Sequence, residues 1–278
     1  MRRGIGRESV ARAAAAIALA GVCALACAGA AGAQEPLPPQ GPSPPGVNDY
    51  SCRPPARHPY PVVILHGTFL NQSILWDTAA RALQRLHYCV FALDYGNNAT
   101  GDIPTSAGQL GAFVDQVLAQ TGAAKVDLVG HSQGGMMPRY WMEFDGGTSK
   151  VDDLVGIAPS NHGTTNPLAG PAGPFCKACA QQAAGSAFIT NLNAGGDTQA
   201  GPSYTVISTR YDEVVTPYQT QALSGPSSQV TSIVLQNRCP LDLSEHLTIP
   251  NDPATAQWVL NALGRSGAAD PGFHPRCL

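Results

Sequence analysis

Lys125-Val126-Asp127-Leu128-Val129-Gly130-His131-Ser132-Gln133-Gly134-Gly135-Met136-Met137-Pro138-Arg139-Tyr140-Trp141-Met142 is the stretch that decides the fold. Its first five residues form a short apolar run rich in β-branched side chains and read as a buried strand. The residues from Gly135 onward read as the opening of a helix. Between them, Gly130-His131-Ser132-Gln133-Gly134 has the spacing G-x-S-x-G. A strand that passes through this spacing directly into a helix makes a sharp turn that lifts the serine hydroxyl above the strand ends. Glycine is required on both sides because a side chain there would strike the neighbouring strand or helix. The five-residue pattern alone is common and could mark a plain strand-to-helix turn, so its strand and helix context carries the reading.

Strands and helices alternate on both sides of this turn. Apolar runs at 61–65, 89–93, 154–158, 204–208 and 232–235 read as further buried strands. Helices are expected over 76–86 and over 106–120, the latter from Leu110, Phe113, Val114, Val117 and Leu118 at three- and four-residue spacing. A last helix opens with Asp252 as N-cap and Pro253 in the first position, buries Trp258, Val259, Leu260 and Leu263, and closes at Gly264. Repeated β-α units with continuously apolar strands imply an α/β fold, with a mostly parallel sheet of about six strands and helices on both faces. Residues 161–201 break the rhythm with glycine, alanine and proline. They are expected to form a small cap-like insertion at the strand C-termini, with Phe188 and Leu192 among the apolar residues that would line a substrate groove.

The ends of the chain read differently. Arg2, Arg3, Arg7 and Arg12 precede an alanine-rich apolar run, and Ala31-Gly32-Ala33 fits a cleavage site, so 1–33 is expected to be a secretory signal peptide. Residues 34–58 are proline-rich and expected to run as an extended tether, with order beginning near Cys52. About 245 residues remain after the leader, enough for one core, and the catalytic domain is expected over 59–278. The leader holds four of the 16 basic residues and one of the 19 acidic ones, which leaves 12 against 18 and a net charge of −6. Such a balance points away from nucleic acid. Six cysteines remain beyond the leader: Cys52, Cys89, Cys176, Cys179, Cys239 and Cys277. An even count in an exported chain implies three disulfides, with 15 possible pairings. Position favours 52–89, which ties the ordered N-terminus to the sheet, 176–179 as a local clip, and 239–277, which pins the tail.

A serine hydroxyl needs a base within hydrogen-bond reach and a carboxylate that orients that base. In this architecture the order is serine, acid, histidine, with the partners on loops after later strands. Asp212 follows the 204–208 strand and His246 follows the 232–235 strand. Glu213 is the local competitor for the acid; His162 precedes the acid and His274 lies beyond the closing helix. The oxyanion needs two backbone donors. Gln133 supplies one, and Thr68 after Gly67 the other, with Phe69 the next choice and also a candidate substrate contact. His66 and His131 are expected to hold loops and to play no catalytic part.

His66-Gly67-Thr68, the Gly130–Gly135 motif, Ala158-Pro159-Ser160-Asn161-His162-Gly163-Thr164-Thr165 and Tyr211-Asp212-Glu213-Val214-Val215-Thr216-Pro217 together resemble the secreted lipases of actinomycete bacteria, the lipase class 2 family. The resemblance runs from about Tyr60 to Leu263. It implies an α/β-hydrolase fold, hydrolysis of acylglycerols and simple esters, and a triad of Ser132, Asp212 and His246. A short-chain carboxylesterase or cutinase-like polyesterase is the alternative enzyme, and a binding protein on a hydrolase scaffold the alternative of another class. No cofactor and no metal are expected, since no loop carries clustered carboxylates. The partner expected is a lipid or small ester at an oil–water interface, met by an extracellular monomer without a membrane span.

Overall fold

The computed structural model describes residue 1 and residues 35–74 and 77–277. Apart from Met1, the leader reading over 1–33 lies outside the described residues, as does Trp76. Six strands, β1 (Val62–Leu65), β2 (Val90–Leu93), β3 (Val126–His131), β4 (Val151–Ile157), β5 (Ser203–Ser208) and β6 (Val230–Val234), form one sheet in the order β2-β1-β3-β4-β5-β6, every pair parallel. Helices α1 (Asp77–Arg85), α3 (Ile103–Thr121), α4 (Gln133–Phe144) and α7 (Pro253–Leu263) connect or cover the strands, and α2 (Gly96–Ala99), α5 (Lys177–Gln181) and α6 (Ala187–Leu192) are short.

Every residue of β1, β2 and β3 is buried, as a sheet covered on both faces requires. Side chains alternate between two cores. Val63, Leu65, Phe91 and Leu128 meet Leu110 and Phe113 of α3 and Met137 of α4 on one face. Val62, Ile64, Val129 and Ile207 meet Leu83 of α1 and Trp258 of α7 on the other. Helix α7 starts as expected, with the Asp252 carboxylate accepting from the Thr255 amide at 2.8 Å and proline in the first turn. Helix α3 begins three residues before the expected Ser106, because Pro104 fits its first turn.

The chain runs from β1 outward to β2, then returns across β1 to β3. Strand order therefore reverses between β1 and β3, and a crevice opens beyond their C-terminal ends, where α/β sheets place their ligands.

Residues 35–58 form no helix or strand, in keeping with their prolines, yet they are not a free tether. The Asn48 side chain accepts from the Ala92 amide at 2.8 Å and donates to its carbonyl at 3.0 Å. Asn48 N donates to Val90 O at 3.0 Å, and Gly41 N donates to the Asp94 carboxylate at 2.7 Å. Val47 is buried and Tyr50 packs on Phe91 with ring centroids 5.4 Å apart. The tether reading missed the polar residues between the prolines, which satisfy the outer edge of β2 in place of a seventh strand. Disulfides join Cys52 to Cys89, Cys176 to Cys179 and Cys239 to Cys277, the pairing expected from position.

At the closed ends of β3 and β4, opposite the crevice, Asp127, Asp152 and Asp153 bring carboxylate oxygens within 4.8 Å of one another. Asp152 pairs with Lys125 at 2.9 Å. Burial, reinforced by the neighbouring Asp127, pushes Asp153 up to about 9, and burial raises Asp127 as well. The folded protein thus keeps protons that the unfolded chain gives up near pH 4. These groups favour folding most below that pH, and the advantage is lost as pH rises toward about 9. Asp153→Asn should therefore raise the thermal midpoint at pH 8 by several degrees and by clearly less at pH 5. Thermal melts at the two pH values check this, and an equal gain at both would defeat it.

Candidate active site

Ser132 sits between β3 and α4 with φ 56° and ψ −123°, a conformation that side chains rarely adopt. Close packing forces it. A Cβ on Gly130 would run into the Gly134 carbonyl, and one on Gly134 would run into the carbonyls of Leu65 and His66. Ser132 N donates to Ile157 O at 2.9 Å, and Gly135 N donates to Ser132 O at 3.0 Å, which fixes the turn against β4. The serine thus stands at the mouth of the crevice between β1 and β3.

Asp212 and His246 come together through backbone pairing. An isolated parallel bridge joins Tyr211 to Glu245, and Thr209 Oγ1 donates to Ser244 O at 2.6 Å. The next residues of the two loops are then side by side. His246 Nδ1 donates to Asp212 Oδ2 at 2.8 Å, with both side chains buried. The other carboxylate oxygen, Oδ1, accepts from the amides of Val214 and Val215 at 2.9 and 2.7 Å. Glu213 is exposed and only its backbone carbonyl is engaged, by Asn166. His162 is bound to Asp197 and to Thr220 O, and His274 is exposed.

Ser132 and His246 line one cavity of about 470 Å³. No hydrogen bond joins Ser132 Oγ to His246 here, and a base of this kind often closes on its nucleophile only with substrate in place. The His246 backbone is anchored by His131, whose Nε2 donates to His246 O at 2.8 Å. Burial holds His131 well below its ordinary pKa, so the ring is neutral and acts as a clamp. His66 is likewise lowered by burial; its Nδ1 donates to Gly67 O at 2.9 Å. Both histidines hold loops, as expected.

The two candidate oxyanion donors meet through their side chains. Thr68 Oγ1 donates to Gln133 Oε1 at 2.9 Å, Gln182 Nε2 donates to Thr68 Oγ1 at 3.0 Å, and Ser160 Oγ donates to Gln182 Oε1 at 2.8 Å. Phe69 N is spent on Asn98 O at 2.8 Å, whereas Thr68 N has no such partner. That favours Thr68 over Phe69. The Gln133 amide opens α4, where the first N–H groups have no partner within the helix.

The apolar wall differs from expectation. Phe69 does line the cavity and is 65% exposed. Phe188 instead stacks on Tyr140 at 5.5 Å and packs against the core, and Leu192 is fully buried within it. The insertion contributes Leu168, Ala169, Ala172 and Cys179 instead, facing Val214, Val215 and Leu247. Helix α6 turns its apolar side to the core, and the irregular segment before the clip forms the wall. Sequence reading also missed Gln182 and Gln221, which lie in no recognisable motif.

A family model for Lipase (class 2) matches residues 59–259. A triacylglycerol lipase of Pseudarthrobacter phenanthrenivorans is 41% identical over 87 residues, covering 29% of this chain and 27% of that protein. One of Burkholderia plantarii is also 41% identical over 87 residues, covering 29% of this chain and 24% of that protein. The chain thus spans about a quarter of the length of these curated relatives. Among solved structures, Aspergillus fumigatus lipase B superposes with a TM-score of 0.68 at 21% identity, covering 82% of this chain and 57% of that one, and so shares the α/β-hydrolase fold.

Asp212→Asn should lower kcat by about 10³-fold or more, through loss of the charge that orients His246, while Glu213→Gln should leave it within about twofold. Steady-state hydrolysis of a soluble ester by both variants checks the assignment; the reverse pattern would move the acid to Glu213.

Proposed function

The chain belongs to the class 2 lipase family, and we propose that it is an exported serine ester hydrolase, a triacylglycerol lipase in the broad sense, working through Ser132, His246 and Asp212. The observation that carries this reading is the buried 2.8 Å contact of His246 with Asp212, opening on the cavity that also holds Ser132. Ser132 Oγ attacks the ester carbonyl carbon as His246 Nε2 takes its proton. The backbone amides of Thr68 and Gln133 hold the oxyanion. Collapse of the tetrahedral adduct expels the alcohol, which takes the proton from His246. Water, deprotonated by the same ring, then attacks the acyl-enzyme; the acyl–Oγ bond breaks, the ring returns the proton to Ser132 Oγ and the acid leaves.

The lining supports a neutral acyl chain as substrate. Among the described residues, none that borders the cavity is Asp, Glu, Lys or Arg. Its rim carries Phe69, Leu168, Val214 and Leu247, between 41% and 72% exposed, an apolar margin suited to an oil–water interface. Export is part of the same reading. It rests on the arginine-led apolar run of 1–33 and on three disulfides, which persist in oxidising compartments. Among the described residues no helix is long and apolar enough to cross a membrane.

Ser132→Ala should lower kcat by about 10⁴-fold or more in a folded protein, and a fluorophosphonate probe should label the parent but not the variant. Retained labelling would place the nucleophile elsewhere. Ala172→Phe should shift preference among para-nitrophenyl esters toward shorter chains at little change in melting temperature. An unchanged profile would show that the acyl chain takes another path. Turnover of soluble short esters without activity on emulsified long-chain oil would favour a carboxylesterase or polyesterase.

A further inference from the structure

Gln221 ends the 3-10 turn Tyr218–Gln221 and is fully buried. Its Nε2 donates to Asp212 Oδ2 at 2.8 Å and lies 3.3 Å from Val215 O. Oδ2 is the same oxygen that receives His246 Nδ1. Both neighbours of the amide nitrogen are acceptors only, so the orientation of the side chain is fixed by chemistry: a flipped amide would turn its oxygen on a carboxylate and a carbonyl. The remaining atom, Oε1, is buried with no partner. An apolar side chain of similar size would leave no such orphan, so stability alone is a poor reason for glutamine at this position.

The turn that carries Gln221 is itself held in place. Asn161 Nδ2 donates to Gln221 O at 2.6 Å, and His162 Nδ1 donates to Thr220 O at 2.7 Å. The amide therefore reaches Asp212 from a turn after β5 that is anchored to the loop after β4.

We propose that Gln221 is a positioning residue for ester hydrolysis, acting through Asp212; this rests on the Ser132–His246–Asp212 reading. Two backbone amides hold Oδ1 and Gln221 holds Oδ2, so the carboxylate cannot rotate about its χ2 bond. One lone pair of Oδ2 then remains directed at His246 Nδ1, which keeps the imidazole in the orientation and tautomer that Ser132 requires.

Gln221→Leu and Gln221→Met, two variants so that one folding failure does not decide the matter, should each lower kcat by about 10-fold or more, the scale of a lost hydrogen bond to a charged group. KM should stay within about twofold, because Gln221 does not border the cavity, and the melting temperature should hold or rise. Introduced into Asp212→Asn, either change should cost less than about threefold more, because the group it acts through is already disabled. The proposal is overturned by wild-type kcat in the folded variants, by loss of melting temperature without loss of kcat, or by a full and independent loss on the Asp212→Asn background. A fully active Asp212→Asn would sink the triad reading and this role together. An inactive Asp212→Asn beside wild-type Gln221 variants would remove only the role of Gln221.

Discussion

The molecule is organised around one steric constraint, the approach of the α4 backbone to the backbones of β1 and β3 at Gly134 and Gly130. With a side chain at either glycine the helix could not start where it does. With the approach made, β3 turns abruptly and Ser132 is driven into a strained conformation at the start of α4. Strain of this kind survives only where surrounding contacts over-determine it. Here these are the pairing of Ser132 with β4 and the parallel order of β1, β3 and β4.

Asp212 and His246, the proposed acid and base, depend on a different device. They lie on two loops that no single element holds together, and they meet because the loops pair for one residue beyond β5 and β6. Neutral buried histidines then do work usually given to backbone. His131 grips the backbone of His246 and His66 grips its own loop, and burial lowers the pKa of both rings and so favours their neutral forms.

How much of this was legible in the sequence follows from the range of the forces involved. The elbow was legible because its steric demand falls on residues two and four places apart. Asp212 and His246 followed from chain order, since parallel topology delivers each strand end to the same face. Family resemblance agreed with both. In the sequence Gly67 alone favours Thr68 over Phe69; the occupation of the Phe69 amide by Asn98, 29 residues on, was not legible. Gln221 was invisible because a glutamine nine residues past an aspartate has no signature; only the fold of the intervening turn makes them neighbours. Phe188 and Leu192 were misplaced because apolar residues in an irregular segment suit a groove and a core equally well. Asn48 was hidden among prolines, whose composition says what cannot form but not what the intervening side chains touch.

The disulfides distribute motion as well as stability. Cys52–Cys89 fastens the chain just ahead of β1 and Cys239–Cys277 fastens the C-terminal tail, so peeling from either end cannot pass these bonds while they are intact. Fraying from the ends, the common first route of native-state opening, therefore stops at Cys52 and Cys277. What remains loosely held is the stretch from Leu168 to Phe175, exposed at 72% and 92% at its two limits, without regular structure and just ahead of the Cys176–Cys179 clip. Hydrogen exchange and proteolytic nicking should therefore concentrate at the rim of the cavity. On the proposed reading an acyl chain enters past this segment, so the covalent plan that hardens the domain leaves its compliance at the entrance.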